Sequence, residues 1–354
     1  MMRFRDRDAP VTPEGLIFRT YGYDHPSDSC FCDLEYASES IYKTDNPKAI
    51  RAGPANNFYK FYLDGGLKFA RRLEPSYLLL HEPIGVEMVG VKAEQLSGAM
   101  HPDERLKELL EEGGDALIET AREVLDLVLE RSSLRLSDFG VFGSLAHGFH
   151  HIRYSDVDLI VYGVEQLKEL RSTLLELYGE GSMINEFDAW TTADPPQHWN
   201  FTDYAKAEYG GYQRRKLIYA RYPSSKLGRT VNVEFEPVRR WDEIRNEYPI
   251  TERIEGLGRV EAVGEVLSED GGGFMPSVYP VELHEVSYDI DPSSIRRVVS
   301  YVKEFRLQLM EGETALIKGN LERVTTVDGE FHQITLSYGS EYFGQVLRAL
   351  RVPR

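Results

Sequence analysis

The stretch that most constrains the fold is residues 139–163, which read FGVFGSLAHGFHHIRYSDVDLIVYG. Two apolar runs, Phe139–Phe142 and Val157–Tyr162, flank a polar loop, and runs of this length predict short buried strands. An amphipathic helical pattern begins at Asp115, and a second one covers Gln166–Tyr178. Helix, strand, turn, strand and helix in this order predict an α/β unit.

Four polar or small residues in this stretch indicate phosphate and metal chemistry. Alternate residues of a strand point to one side of a sheet, so Asp156 and Asp158 are predicted to converge while Val157 faces the core. Like charges at that spacing repel unless a cation lies between them, and Mg²⁺ prefers such hard oxygen ligands. Gly143 allows close approach of the backbone to a phosphate, and Ser144 offers a hydroxyl and an amide at a helix N-terminus. The pattern predicts a clamp for a metal-bound triphosphate.

The same pattern resembles the signature of the polymerase β-like nucleotidyltransferase superfamily, which is Gly-Ser, a spacer, and Asp-x-Asp entering an apolar strand. Eleven residues, 145–155, separate Gly143-Ser144 from Asp156-Val157-Asp158. The segments GSLAHG and SDVDLIV are most similar to the minimal nucleotidyltransferases and to the head domain of archaeal CCA-adding enzymes. The resemblance covers roughly Asp115 to Trp241.

The resemblance also implies a third metal-binding carboxylate on a later strand. In archaeal CCA-adding enzymes a proline follows that acid three residues on, and in VNVEFEPV the matching pair is Glu234 and Pro237. Glu236 lies on the same predicted strand face and stays a second candidate. The implied site has Mg²⁺ or Mn²⁺ at Asp156, Asp158 and Glu234, and a nucleotide at Gly143, Ser144 and Ser155.

The 354 residues exceed the size at which a single hydrophobic core usually stops growing. We predict an α+β multidomain chain with an N-terminal α+β module in 1–114, the nucleotidyltransferase α/β domain in 115–256, and a small OB-like β-barrel in 257–354. Within the N-terminal module, residues 56–72 have helical spacing interrupted by Gly65-Gly66. The C-terminal range consists mostly of strand patterns, punctuated by glycines and by an Asp-Gly hairpin signal.

The charge balance limits how the chain can contact nucleic acid. There are 41 basic and 58 acidic residues, a net charge of -17, and a broadly acidic surface opposes non-specific binding to phosphates. The exception is Tyr212–Thr230, which holds six basic residues and no acidic one. Arg214, Arg215 and Lys216 are therefore predicted to contact a nucleotide tail or an RNA acceptor, with tyrosines stacking on bases. The alternative is an ordinary solvated helix whose arginines pair with the chain's carboxylates, and the sequence leaves both open.

Two other groups of residues have structural interpretations. His147, His150 and His151 lie in the spacer, but zinc would need further ligands, so we interpret them as loop or substrate contacts. Cys30 and Cys32 are too close in sequence for an ordinary disulfide and are interpreted as reduced, structural residues.

The predicted activity is transfer of an NMP from an NTP, with ATP among the candidates, to an acceptor hydroxyl with release of pyrophosphate. RNA is one candidate acceptor, and a small molecule or a protein side chain is another. A catalytically degenerate nucleotide- or nucleic-acid-binding protein on the same fold is the alternative from another class. No apolar run approaches the roughly 18 residues of a membrane span, and the charged N-terminus lacks a signal-peptide pattern, so a cytoplasmic location is expected.

Overall fold

The computed structural model describes residues 3–53, 56–188, 201–339 and 342–351. As far as they are described, these residues form two compact units. The first unit comprises 3–81, 85–184 and 218–248, and the second comprises 82–84, 185–217 and 249–351.

The helices and strands are as follows. Strands β1 to β8 are Ala9–Val11, Leu16–Thr20, Ser29–Ser38, Ile50–Ala52, Asn57–Lys60, Leu78–His81, Val86–Lys92 and Gly98–Met100. Strands β9 to β13 are Phe139–Val141, Val157–Tyr162, Ile184–Asn185, Tyr219–Ser224 and Arg229–Val238. Strands β14 to β19 are Thr251–Val266, Ser277–Val286, Ile295–Ser300, Thr314–Thr326, Gly329–Leu336 and Val346–Arg351. Helices α1 to α6 are Gly65–Leu73, Pro102–Glu112, Ala116–Glu130, Gly143–Ala146, Val164–Glu180 and Lys206–Arg215. Short 3-10 helices lie at Pro75–Tyr77, Ala93–Gln95, Leu136–Asp138, Tyr248–Ile250, Pro292–Ser294, Lys303–Phe305 and Tyr342–Gly344.

The first unit begins with an antiparallel sheet in the order β4-β5-β3-β2-β1-β8, to which β7 adds on β3 and β6 on β7. Its apolar side packs in one cluster that includes Phe18, Leu34, Phe69 and Val91. Because strands β2 and β3 contribute to this cluster along with α1, the N-terminal region has a core of its own.

The predicted helical spacing over 56–72 is wrong for its first part. Asn57–Lys60 forms β5, which pairs with β3, because its aromatic residues favour a sheet. The glycine pair begins α1 rather than interrupting it. A Cβ on Gly66 would lie 2.6 Å from the carbonyl oxygen of Leu34, so glycine lets α1 pack directly on β3.

The second sheet of this unit has the order β11-β12-β13-β10-β9, and within it β10 and β13 run parallel. Helices α3 and α5 and the three core strands confirm the helix, strand, turn, strand, helix and strand pattern of the sequence. Asp115 caps α3, since its carboxylate accepts from the amides of Leu117 and Ile118 at 2.9 and 3.3 Å. The side chains of β10 are buried from Leu159 to Tyr162, so this strand is central to the core.

Ion pairs join the two sheets of the first unit. Arg5 contacts Asp103 at 2.9 Å, and its guanidinium lies 3.8 Å from the ring centre of Tyr162. Arg7 forms an ion pair with Glu236 on β13, whose side chain is only 2% exposed. Charges buried in this way are stable only with their partners in place. The N-terminal strands and the β10–β13 core are therefore parts of one packed body.

The Arg7–Glu236 ion pair generates a stability prediction. Arg7→Met leaves the buried Glu236 carboxylate without this partner, and breaking a buried pair costs about 3–5 kcal/mol. Lys107→Met is the matched control because Lys107 pairs with Glu111 at the surface, where the expected loss is below about 1 kcal/mol. The free energy of unfolding is measured in urea. Equal losses in the two variants would contradict the prediction.

The second unit contains a closed barrel of five strands, counted over the described residues. Strand β14 pairs with β15 and β17, β15 with β16, β16 with β18 in parallel, and β18 with β17, which closes the ring. Strand β19 adds to the outside of the ring on β17. The prediction of a small closed barrel in the C-terminal region is confirmed.

Residues 201–217 pack with this barrel, although they lie inside the range predicted for the nucleotidyltransferase domain. Phe201, Tyr204 and Tyr212 belong to the barrel's apolar cluster. The amide of Leu347 donates to the Tyr204 hydroxyl at 2.7 Å, and that of Ala349 donates to the Tyr212 hydroxyl at 2.8 Å. The three predicted domain ranges stay predictions. Over the described ranges, no helix combines the length and the apolar character that crossing a membrane requires.

Candidate active site

The centre of the candidate site is the register between β10 and β13. Asp158 lies directly opposite Glu234 in this parallel pair, and side chains of paired residues point to the same side of a sheet. Asp156 lies two residues before Asp158 and shares that side. Asp158 and Glu234 are half-buried and Asp156 is exposed, so the three carboxylates lie at the border between the core and solvent, which forms the candidate cleft.

Glu236, the second candidate for the third carboxylate, has a different environment. It also lies on β13, opposite Ile160, but it is buried and pairs with Arg7. Glu234 is the one in register with Asp158. The structure thus gives the two glutamates different surroundings, a difference that the sequence pattern does not show.

Gly143 lies directly against the carboxylate of Asp158. Its φ is 66°, a left-handed conformation that favours glycine, and a Cβ at this position would lie 2.5 Å from Oδ2 of Asp158. The amide of Phe142 donates to the carbonyl oxygen of Asp158 at 3.1 Å, which fixes the turn on the strand. The Gly-Ser turn and the Asp-x-Asp strand are therefore assembled as the sequence pattern implies.

Ser144 and Ser155 tie the loop between the two motifs together. The Ser144 hydroxyl donates to Oγ of Ser155 at 3.3 Å, and the amide of His151 donates to the same oxygen at 2.8 Å. Arg229 donates to the carbonyl oxygens of Ser155 and Ile152 at 2.6 and 3.1 Å. This arginine from the basic segment therefore supports the loop that carries Asp156.

Negative charge is concentrated at the site. The pKa of Asp158 is raised to about 8, first by burial and then by the charges of Glu234 and Asp156. Burial also raises the pKa of Asp156, against the positive charge of Arg229. A bound cation would relieve this repulsion.

The donor set fits a magnesium ion bound together with a nucleotide. In the part of the chain that the structure describes, no three His, Cys, Asp or Glu side chains form a ready group of metal ligands. Mg²⁺ does not require such a group, because it takes one or two protein carboxylates and completes its octahedron with water and phosphate oxygens. Asp156, Asp158 and Glu234 are the residues that would hold it.

The spacer histidines have separate partners. Nε2 of His150 lies 2.9 Å from Oδ2 of Asp115, and Nδ1 of His151 accepts from the amide of Arg153 at 3.2 Å. The His147 ring stacks on Phe149 with centroids 5.5 Å apart. These contacts agree with the interpretation of the histidines as loop residues.

The N-terminal sheet brings two charged residues to the site that the sequence did not indicate. Nζ of Lys60 on β5 lies 3.4 Å from Oε1 of Glu35 on β3. The Lys60 charge lowers the pKa of Asp158, and the Glu35 charge raises it. Both residues come from a region without a recognisable motif, so no local pattern could have identified them.

The predicted nucleotide contacts Arg214, Arg215 and Lys216 belong to the second unit. There Arg214 pairs with Asp188 and Arg215 with Glu313, both at 2.6 Å. The Lys216 ammonium is buried and donates to the carbonyl oxygen of Glu304 at 2.8 Å. These contacts favour the alternative of an ion-paired helix, and a role in nucleotide binding stays a prediction for the three residues.

Comparison with known proteins addresses the motif directly. Residues 121–201 match the family model described as the nucleotidyltransferase domain. The chain contains a nucleotidyltransferase domain. The match includes the Gly-Ser turn and both aspartates, and it confirms the resemblance to the polymerase β-like superfamily and the prediction of a transferase.

The flanks of the nucleotidyltransferase domain have a relative as well. A protein of Methanocaldococcus jannaschii, itself described as uncharacterized, is 28% identical over 366 residues. The alignment covers 99% of this chain and 100% of that protein. No solved structure matches the chain significantly. Glu234 lies beyond the family match, so its assignment depends on the strand register.

The crowded carboxylates of the nucleotidyltransferase domain generate a prediction of pH dependence. The folded-state pKa of Asp158 is raised above its ordinary value, so the folded protein holds this proton more tightly than the unfolded chain does. The stability that this proton contributes is present at low pH and is lost as pH rises through about 8. The melting temperature of the metal-free protein should fall as pH rises from about 5 to about 8 and change little above that range, and Asp158→Asn should flatten the fall.

The control is Asp126→Asn, since Asp126 is exposed on α3 and forms no ion pair with the residues that the structure describes. Thermal unfolding followed by circular dichroism at several pH values checks both variants. A fall of the same size in Asp158→Asn as in the wild type would show that other groups cause it.

Proposed function

We propose that this chain is a divalent-metal-dependent nucleotidyltransferase that moves an NMP from an NTP to an acceptor hydroxyl and releases pyrophosphate. The observation that carries the proposal is the in-register pair of Asp158 and Glu234, with Asp156 beside it and the Gly143 backbone against it. A bare Asp-x-Asp turn would not require a glycine packed on one of its carboxylates.

The residues have distinct roles in this reaction. Asp156, Asp158 and Glu234 would hold Mg²⁺ or Mn²⁺. When bound, the metal lowers the pKa of the acceptor hydroxyl and stabilises the leaving pyrophosphate. Gly143 would let the backbone approach the phosphates. The Ser144 hydroxyl, which donates to Ser155 in this structure, would donate to a phosphate oxygen instead.

The transfer itself requires positioning more than covalent chemistry by the protein. The acceptor oxygen forms a bond to the α-phosphorus, the bond from the α-phosphorus to the bridging oxygen breaks, and the hydroxyl proton passes to solvent. Holding both reactants in line converts a bimolecular step into an effectively unimolecular one. The rigid strand pair and the glycine turn supply that geometry.

For the acceptor we propose RNA, bound with help from an OB-like barrel. The ring order β14-β15-β16-β18-β17, with β16 and β18 parallel, supports an OB-like barrel, and barrels of this kind bind oligonucleotides on one sheet face. A small-molecule or protein hydroxyl is the other acceptor class.

Incubation with each labelled NTP tests the proposal. The wild-type protein is given Mg²⁺ or Mn²⁺ together with RNA, protein or small-molecule pools, and the labelled pool identifies the acceptor class. Asp156→Asn and Asp158→Asn should each reduce transfer by about 10³-fold or more, because metal stabilisation of the transition state is lost. Asp126→Asn should transfer like the wild type.

Melting curves separate a failed assay from a wrong proposal. Metal with NTP should raise the melting temperature more than either alone, since ligand at about 100 times its Kd stabilises by roughly 2.7 kcal/mol. Asp158→Asn removes a repelled charge and should melt no lower than wild type without ligand. A wild-type protein that responds to no NTP with either metal would overturn the proposal and favour the degenerate binding protein.

A further inference from the structure

Lys60 and Glu35 form an ion pair, and the charges of both residues act on Asp158 of the candidate site. Lys60 is 31% exposed and Glu35 is 12% exposed, so the pair lies at the border between protein and solvent. Lys60 is directly opposite Tyr36 in the β3–β5 ladder, and its ammonium lies 5.5 Å from the centre of the Tyr36 ring. Strand pairing on one side and the ring on the other limit where this ammonium can point.

The same two strands pack on the loop that follows the Gly-Ser turn. The edge of the Tyr36 ring contacts His147 and Phe149, with centroid distances of 5.4 and 5.3 Å. A Cβ added to Gly53, just after β4, would lie 3.0 Å from the Phe149 ring. His147 directly follows α4, the short helix that begins at Gly143. The N-terminal sheet therefore covers the end of the cleft where the turn and Asp158 meet.

Charge provides the second argument. The positive charge of Lys60 acts on Asp158, so its ammonium offsets part of the carboxylate repulsion in the metal-free protein. A bound cation would take over that role at the carboxylates. A triphosphate entering with the cation would then offer the ammonium a more highly charged partner than Glu35, and lysine is a common phosphate ligand because it carries three donors on a compact charge.

We propose that Lys60, supplied by the N-terminal sheet, binds the phosphates of the nucleotide in the catalytic cleft, and that Glu35 positions its ammonium there before the nucleotide arrives. This inference rests on the proposed function. It makes the N-terminal module part of the nucleotide site rather than an attached domain. The competing explanation is that Lys60 serves only as the counter-ion of Glu35.

The test compares Lys60→Gln and Lys60→Arg with the wild-type full-length chain. Kd values are measured for NTP, NDP and NMP of the base that the wild type binds, with Mg²⁺ present. Lys60→Gln should weaken NTP binding by about 10-fold or more, the effect of losing a charged hydrogen bond, and should leave NMP binding nearly unchanged. Lys60→Arg should restore most of the NTP affinity. Lys68→Gln is the matched control because Lys68, on α1 of the same module, pairs with Asp64 at the surface.

Binding of Mn²⁺ alone separates a specific loss of NTP binding from misfolding of the variant. Removing a positive charge beside Asp158 should leave Mn²⁺ binding at least as tight as in wild type, measured from the electron paramagnetic resonance signal of free Mn²⁺. A variant that was merely misfolded would lose Mn²⁺ and NTP binding together, and its melting temperature would fall.

The double variant Glu35→Gln/Lys60→Gln decides between the two explanations. If Lys60 is only the counter-ion of Glu35, removing both charges restores NTP affinity to the wild-type value, and that result would overturn the inference. If Lys60 binds phosphate, NTP affinity stays weak in the double variant. A wild-type chain that binds Mn²⁺ and NTP while Lys60→Gln binds NTP equally well rejects the Lys60 role alone. A wild-type chain that binds no NTP rejects the proposed function, and this inference with it.

Discussion

The parallel pairing of β10 with β13 is the constraint from which the rest of the site follows. Paired residues of neighbouring parallel strands have their side chains on the same side of the sheet, so Asp158 and Glu234 lie side by side once the strands have formed. The apolar residues that alternate with them are buried and hold the strands in that register. Burial of the apolar residues thus brings the carboxylates together, although the repulsion between their negative charges is unfavourable. Such a site is stable at low cost only when a proton or a cation neutralises part of it.

Strand β13 carries two glutamates whose negative charges have different surroundings. Glu234 and Glu236 point to one side of the strand, two residues apart. The protein neutralises Glu236 itself, with Arg7 from the N-terminal region, and buries the pair. Glu234 stays half-buried beside Asp158. One glutamate therefore joins the N-terminal sheet to the core, and the other is the one that we propose as a metal ligand.

The sequence was informative where the chemistry is local and uninformative where it depends on distant partners. The Gly-Ser turn, the paired aspartates and their strands could be predicted because period-2 patterns and a glycine after a strand carry the information within 25 residues or so. Lys60 and Glu35 could not, since only the packing of β3 and β5 on the loop after the Gly-Ser turn lets their charges act on Asp158. The surroundings of the basic segment also depend on distant partners. Its charge run suggested a polyanion, but Arg215 finds its carboxylate in Glu313, far along the chain.

The net charge of -17 limits how this chain can bind polyanions. Without a cation, the cleft carboxylates repel a triphosphate, and the rest of the surface adds to that repulsion. In the proposed reaction we therefore expect nucleotide binding to depend on the metal. Lys60 and Arg229 are positive charges in the described part of the first unit that act on the aspartates. The same argument applies to an RNA acceptor. Each phosphate contact adds to affinity and to its salt dependence, and an acidic protein can offer only a few such contacts. Specificity for the proposed acceptor would then come from shape, stacking and hydrogen bonding at its reactive end, not from many contacts to its phosphate backbone. Few backbone contacts suit a transferase that has to release its product after adding a nucleotide.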